Sequence, residues 1–412
     1  MPLHILIIVE NLPVPLDYRV WLIAKTLRDN GCKVSIISPA ADKYPAGEFE
    51  IEGITVYRHN LPDAGSLLQY LWEYTVALWK EFRLSVKIFR KNKFKVIHAC
   101  NPPDLIWSIG LFWKLFGVKF IYDHHDLSPE ILLAKIGDCQ SIYRGFNNKE
   151  KMPALRKPKS IVHRFAYKLL LINERISHKF ANAVLVTNES FRKIALVRNK
   201  CKSNKIFVVR TGPQLAELPK VNFQQNITND IPKIAYVGVM AKQDGVDVLL
   251  KSTAYAVKSL DKKFQLILMG GGPQFDNLIA LAHKLGINKY VTFKGFIPRK
   301  EMLDELIKCS LGVTPDLSGP MNDFSTMLKV QDYMACGLPQ VMFDLQENKF
   351  TAGESALYAK SGDEKEFANK IIKLIENYDL RKKLGGIARE RVEKLTWENS
   401  GSRNLLKAYE FI

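Results

Sequence analysis

Short, predominantly apolar runs recur along this chain with helical segments between them, and the series occurs twice. The first series reads as strands at His4–Val9, Lys33–Ser38, Ile54–Tyr57, Val96–Ala99, Lys119–Tyr122, Ala183–Thr187 and Ile206–Arg210. The second reads as strands at Ile234–Val237, Gln265–Met269, Tyr290–Lys294, Leu311–Thr314 and Gln340–Phe343. Apolar runs without polar alternation are what a strand buried on both faces requires, and intervening helices supply the crossovers of a parallel sheet. The segment 213–232 is polar, proline-bearing and without period, so it reads as a linker. A chain of 412 residues exceeds one ordinary core, and two domains of roughly 200 residues each follow. The expectation is an α/β protein of two Rossmann-like, doubly wound domains: 1–212, the linker, 213–232, and 233–394. Ligands of such sheets bind at the carboxyl ends of the strands, here the cleft between the domains.

Charge separates the halves. Up to Gly212 there are 33 Lys/Arg against 18 Asp/Glu, a net of +15; from Pro213 onward 27 stand against 24, a net of +3. The first half therefore faces something anionic: nucleic acid, a membrane surface or a phosphorylated substrate. Within it, Leu68, Trp72, Thr75, Trp79, Phe82, Val86 and Phe89 recur at helical spacing beside Lys80, Arg83, Lys87 and Arg90. That pattern suits an amphipathic helix lying on an anionic bilayer, and it equally suits a helix packed on its own sheet. The segment from Asp138 to His163 reads as a basic loop that adds to the membrane-facing charge. The start MPLHILIIVENLP lacks the features of an export signal, and Leu105–Trp113 is too short to span a bilayer. Six scattered cysteines without metal spacing read as free thiols in a reducing compartment; the expected location is the cytoplasm, peripheral to the membrane.

Four segments of the second half carry chemistry. In YVGVMAKQDG, Gly238 follows a strand and lets backbone approach a ligand, while Lys242 is placed to meet phosphate. In LMGGGP, Gly271 and Gly272 between strand and helix can aim N–H groups at an anion. VTFKGFIP closes a strand into a turn whose Phe296 can lie against a nucleobase. In NDFSTMLKVQDYMACGLP, Lys329, Asp332 and Cys336 share one helical face. There Asp332 can accept from a ribose diol, Lys329 can neutralise a diphosphate, and the loop with Asn322, Asp323 and Ser325 can supply donors at the helix N-terminus.

The order YVG, GGGP, FKGFIP, KVQDYMACGLP resembles the donor domain of family-4 retaining glycosyltransferases of the GT-B fold, in particular the branch making bacterial O-antigen and capsule. NLPVPLDYRVW, YDHHDLSPE and VLVTNES in the first half extend the resemblance over nearly the whole chain, and TWENSGSRNLLKAYEF looks like the tail of this fold, which implies that 395–412 is a helix crossing back to the first domain. It implies transfer of a sugar, an N-acetylhexosamine derivative or a hexose, from a nucleoside diphosphate (UDP expected) to a lipid-linked or polysaccharide acceptor. It also implies front-face attack without a protein nucleophile and no metal cofactor, since no DxD cluster stands at a strand end. By resemblance His125 and Asp126 are the catalytic pair, and Asp17, Arg19 and Glu130 are acceptor-side candidates. Two departures stand out. The family has Glu-x7-Glu, whereas this chain has Asp332 at the second position and Phe324 at the first, so the first role would pass to Asn322 or Asp323. Arg210-Thr211-Gly212 stands where the family has Asn before Gly. A nucleotide-sugar 2-epimerase of the same fold and a basic nucleic-acid-binding protein are the competing readings. The donor motifs speak against nucleic acid, which is not an expected partner.

Overall fold

The computed structural model describes residues 2–62, 67–136, 160–220 and 231–412. It is an α/β protein with two parallel-sheet domains. Strands β1 (His4–Ile8), β2 (Lys33–Pro39), β3 (Gly47–Ile51), β4 (Ile54–His59), β5 (Val96–Cys100), β6 (Lys119–His124), β7 (Ala183–Val186) and β8 (Ile206–Val208) form one sheet. Its order is β3-β4-β2-β1-β5-β6-β7-β8, and β3 alone pairs antiparallel. Strands β9 (Lys233–Val237), β10 (Gln265–Met269), β11 (Val291–Gly295), β12 (Leu311–Thr314), β13 (Gln340–Phe343) and β14 (Ala356–Ala359) form the second, ordered β11-β10-β9-β12-β13-β14 and parallel throughout. In each sheet the order reverses beside the first strand, between β1 and β5 and between β9 and β12. The crevices that receive ligands open at these two points.

Helices α1 (Tyr18–Asp29), α2 (Leu67–Lys91), α3 (Trp107–Lys114), α4 (Ser128–Lys135) and α5 (Ile161–Phe180) belong to the first domain. Asp17 starts α1 by accepting the Val20 N–H on its side chain, and Gly31 at φ +80° lets the chain leave it. The basic segment read as a loop lies mostly outside the described residues, but its last residues, Ile161 to His163, are the first turn of α5. The apolar stripe of α2 divides: Phe82, Val86 and Phe89 pack on the sheet core, whereas Trp72 and Trp79 are 63% and 60% exposed. The innermost positions are instead Ala77, Glu81, Ser85 and Ile88, spaced by three and four. Over a helix this long, two neighbouring stripes diverge, and the sheet covers only one.

The chain crosses between domains twice, and the crossings touch. Trp397 N–H donates to Pro213 O at 3.0 Å, and Trp397 Nε1 donates to Thr26 Oγ1 at 2.8 Å. Helix Ser402–Phe411 then packs on β7, β8 and α1, burying Leu405 and Ala408 in the first domain's core. A β-carbon at Gly212 would stand 2.0 Å from the Leu395 carbonyl oxygen, so only glycine admits this crossing. Gly212→Ala is therefore expected to destabilise by about 1–3 kcal/mol, read as a lower urea midpoint. Gly386→Ala, in a helix with open space around the new carbon, should raise that midpoint.

Further contacts close the cleft on one side. Asn188 Nδ2 donates to Phe324 O at 2.7 Å, Ser190 Oγ donates to Glu347 Oε1 at 2.6 Å, and Gln331 Nε2 donates to Thr211 O at 2.9 Å.

Candidate functional site

At the second sheet's crevice, Gly238 follows β9 and Asp316 follows β12 by two residues. Gly270 stacks the glycine-rich loop on the first: a β-carbon there would meet Gly238 O at 1.9 Å. Gly271 and Gly272 follow; Gly271 faces open space, and Gly272 lies against the Met240 backbone. Helix Leu328–Ala335 brings Lys329 back beneath this floor. Its Nζ stands 3.0 Å from both oxygens of the wholly buried Asp316, 4.8 Å from the Tyr236 ring centre and beside Gly238. A buried ammonium without a partner would be very costly, and Asp316 supplies the partner. Because the pair is formally neutral, a diphosphate would meet Lys329 with its charge already shared. Lys242 is exposed in the short turn Lys242–Asp244. Asp244, half inside, is pushed up to about 6 by burial, with Lys329 pulling the other way.

The loop before the helix is spent on holding itself. Asn322 Nδ2 donates to Gln243 O and Leu317 O, both at 2.9 Å, and Ser325 Oγ donates to Met321 O at 2.8 Å. Asp323 accepts from Ser318 Oγ at 3.0 Å and is pushed up to about 6 by burial. Asn322 and Ser325 thus shape the loop with the donors that the sequence reading assigned to the ligand. Thr326 Oγ1 faces the other domain, accepting from Asn188 at 3.1 Å. Phe324, where the family carries its first Glu, is 1% exposed and lies in the first domain's apolar cluster with Phe191 and Leu127. This position plugs the domains together and offers nothing to a sugar.

Asp332 is buried one turn after Lys329, with Oδ1 3.0 Å from Arg299 Nη2. Burial raises its pKa and Arg299 opposes the rise. Arg299 also reaches Glu217 at 3.2 Å and lies over the Tyr18 ring, so it ties the second domain, the linker and α1 together. Phe296, just past β11, is 85% exposed. The structure therefore brings Gly238, Lys329 and the two glycine-rich turns together, with Asp332 along the helix, and leaves Lys242 and Phe296 at the rim.

In the first domain, Asp123 at the end of β6 is wholly buried. Arg19 holds it bidentately, Nε to Oδ2 at 2.9 Å and Nη2 to Oδ1 at 2.7 Å. Burial would raise this carboxyl, but Arg19 outweighs it and keeps Asp123 well below the ordinary carboxylate range. His125 Nδ1 lies 3.8 Å from Asp123 Oδ2, an ion-pair distance too long for a hydrogen bond. Burial alone would lower His125; the Asp123 charge overcomes it and raises the imidazole above its ordinary value. The Asn101 side chain fixes the turn, accepting from the N–H of His125 at 2.9 Å and of Asp126 at 3.2 Å, and donating to Asp126 O. His124 points the other way, stacked on Tyr122 in the core and lowered to about 3 by burial.

The acceptor-side assignments need correction. Asp17 is the N-cap of α1. Arg19 spends its guanidinium on Asp123, Val209 O and Thr211 Oγ1. Glu130 is wholly buried against Arg198. Arg19 and Glu130 are spent on framework pairs, and Asp17 caps α1 through its Oδ1. Sequence reasoning missed Asp316, Asp123 and Arg299. The one signal for the first two was a carboxylate at or just past the end of an apolar strand. Among the described residues, His98, Cys100 and Asp123 bring potential ligand atoms within 4.8 Å of one another. Both Asp123 oxygens are already held by Arg19, so the place a cation would take is filled by a guanidinium.

Comparison with known proteins agrees with this architecture. The model of the family described as "Glycosyltransferase Family 4" matches residues 18–216, and that of "Glycosyl transferases group 1" matches residues 219–391. An uncharacterized glycosyltransferase of Methanocaldococcus jannaschii is 22% identical over 353 residues, 80% of this chain and 87% of that one. The sucrose-phosphate synthase of Thermosynechococcus elongatus superposes with a TM-score of 0.73 at 19% identity, covering 99% of this chain and 98% of that one. Anabaena HepE, solved in complex with UDP-glucose, gives 0.69 at 14% identity over 99% and 100%. With two family models that together account for nearly the whole sequence, on a fold shared with solved glycosyltransferases, the chain belongs among the glycosyltransferases of the GT-B type.

Proposed function

We propose that this glycosyltransferase moves a hexose or N-acetylhexosamine-type sugar from UDP, with retention, to a lipid-linked or polysaccharide acceptor during cell-surface polysaccharide synthesis. The observation that carries the reading is the buried Lys329–Asp316 pair at the β9/β12 crevice, beside Gly238 and one turn from Asp332. A diphosphate lying across Gly238 and the Gly271–Gly272 turn meets backbone N–H groups and the Lys329 ammonium, and its ribose reaches Asp332. UDP is chosen because HepE was solved with it. The acceptor hydroxyl attacks from the face the diphosphate leaves, and a phosphate oxygen takes its proton. His125 faces the developing charge, and Asp126 lies beside it. Protein cations and N–H groups meet the leaving charge without a metal. Calorimetry with UDP, GDP and ADP in EDTA tests the donor assignment: UDP should bind at least tenfold more tightly than the others, and equal or no binding refutes it. A panel of UDP-sugars with a lipid diphosphate acceptor then identifies the sugar.

The same proposal places the enzyme peripherally on the cytoplasmic face of a membrane, contacting anionic lipid through the first domain. Exposed Trp72 and Trp79 stand on α2 beside Lys80, Arg83, Lys87 and Arg90. The last four, with Arg58 and Lys91, line a groove of about 900 Å³. No helix of the described residues is long and apolar enough to cross a membrane. Reversing Lys80, Arg83 and Lys87 to Glu should release the protein from vesicles containing phosphatidylglycerol, with at least a tenfold fall in the bound fraction at low salt. Lys80 reaches a backbone oxygen, and Lys87 reaches the exposed Glu48 and the face of the Tyr57 ring, so stability should change little. Full retention on the vesicles counts against the membrane contact.

A further inference from the structure

Arg299 is the first residue of the helix Arg299–Leu306, directly after Pro298. A cation is disfavoured there, because a helix N-terminus already carries partial positive charge and prefers acids. What the side chain reaches explains the position. Its guanidinium stands between carboxylates from two elements. Nη2 lies 3.0 Å from Asp332 Oδ1 on the helix Leu328–Ala335, and Nε donates to Glu217 Oε2 at 3.2 Å in the linker turn Leu215–Glu217. A planar fork can serve two such partners in fixed directions, which a lysine ammonium cannot. Glu217 is in turn held from the first domain's side. It accepts from the Tyr18 hydroxyl at 3.1 Å and from Gln214 Nε2 at 2.7 Å. The Tyr18 ring centre lies 5.3 Å from the guanidinium carbon.

Asp332 differs from the other carboxylates of the donor crevice. Asp316 has both oxygens on Lys329, Asp323 accepts from Ser318, and Asp244 accepts from the Ala241 N–H. Among the described residues the Asp332 carboxylate has Arg299 as its one partner, and its side chain keeps 9% of its surface accessible. An incoming hydroxyl can therefore still reach it. Burial favours the protonated form of this carboxyl, and the Arg299 charge opposes that. Ionised, the group is an acceptor only, with lone pairs left for both hydroxyls of a ribose diol beside the guanidinium. Protonated, it would turn one oxygen into a donor.

We propose that Arg299 is the positioning residue of the ribose contact: it holds Asp332 as an acceptor for both hydroxyls, and through Glu217 and Tyr18 it ties that orientation to the first domain. The inference rests on the reading of Asp332 as the ribose ligand and adds that selection of the diol is set by a residue acting through Asp332.

The test is calorimetry on the full chain with UDP and 2′,3′-dideoxy-UDP, which lacks both hydroxyls. The parent should prefer UDP at least tenfold. Arg299→Met should weaken UDP about tenfold and the dideoxy compound less than threefold, so that the preference nearly vanishes; Arg299→Lys, which keeps the charge without the fork, should fall between. Asp332→Asn should lose the same preference, and Arg299→Met added to it should lose no more, because residues acting through one contact are not additive. The double variant also removes the stranded Asp332 charge, so it gives a reading even where the single one fails to fold. A merely structural Arg299 would weaken both nucleotides alike and leave the preference intact, and that result overturns the proposal. So does tighter UDP binding in Arg299→Met, which would make Arg299 a competitor for Asp332, or a further loss of preference in the double variant. A parent that binds both nucleotides equally refutes Asp332 as the ribose ligand and this inference with it, and a parent that binds neither strikes the donor reading itself.

Discussion

Replacing Lys329 with methionine is expected to weaken UDP binding at least a hundredfold, about 2.7 kcal/mol, and to lower stability by about 3–5 kcal/mol. The two effects have different sources. The first is loss of the cation beside Gly238. The second arises because Asp316, wholly buried 3.0 Å from the ammonium with both oxygens, is left without a counter-charge. A single substitution therefore confounds binding with folding, and the second site separates them. Lys329→Met combined with Asp316→Asn removes the stranded charge. Most of the lost stability should return in urea titrations while calorimetry still shows no UDP binding. Return of binding in the double variant would mean that Lys329 serves only to neutralise Asp316. Affinity within threefold of the parent in the single variant would remove Lys329 from the donor site altogether.

This coupling marks where sequence reading stops. The alternation of apolar runs and helices translated into two parallel sheets because a strand buried on both faces writes its environment into consecutive residues. The strands it passed over were those that do not: β3, whose Glu48 and Glu50 alternate at an antiparallel edge, and the four-residue β14 at the far edge of the second sheet. Lys329 and Asp332 could be set on one helix by spacing alone. Their counter-charges could not: Asp316 and Arg299 arrive from other loops, and nothing in local spacing announces such pairs. The acceptor-side assignments failed for the same reason. Arg19 and Glu130 look free in a linear reading, yet Asp123 lies 104 positions from the first and Arg198 lies 68 from the second. The α2 stripe shows a third limit. Periodicity says that a helix has an apolar face, but which residues of it meet the sheet depends on packing, so Trp79 faces outward while Glu81 is buried.

His125 is the second position where a large effect is expected, and its pH behaviour follows from Asp123. Burial would drive the imidazole down, but the Asp123 carboxylate, kept ionised by Arg19, overcomes this and raises it. In the folded protein His125 therefore holds its proton to a higher pH than the ordinary 6.5. The linkage has a definite sign. The attraction between protonated His125 and Asp123 contributes stability that is fully present below about pH 6.5, the unfolded value. It is lost as pH rises through the higher folded value. A protonated imidazole at the cleft is also suited to the charge that develops on a departing diphosphate, a kind of contact whose removal costs about 3 kcal/mol, or roughly a hundredfold in rate. His125→Gln is accordingly expected to lower kcat about a hundredfold with UDP affinity unchanged. It should also flatten the alkaline fall in both rate and unfolding free energy that is expected of the parent enzyme. An NMR titration of the His125 ring should place its midpoint above 6.5. A midpoint below that value, or a parent pH profile retained in His125→Gln, would mean that the Asp123 charge does not reach the imidazole, and that the group facing the leaving diphosphate lies elsewhere in the cleft.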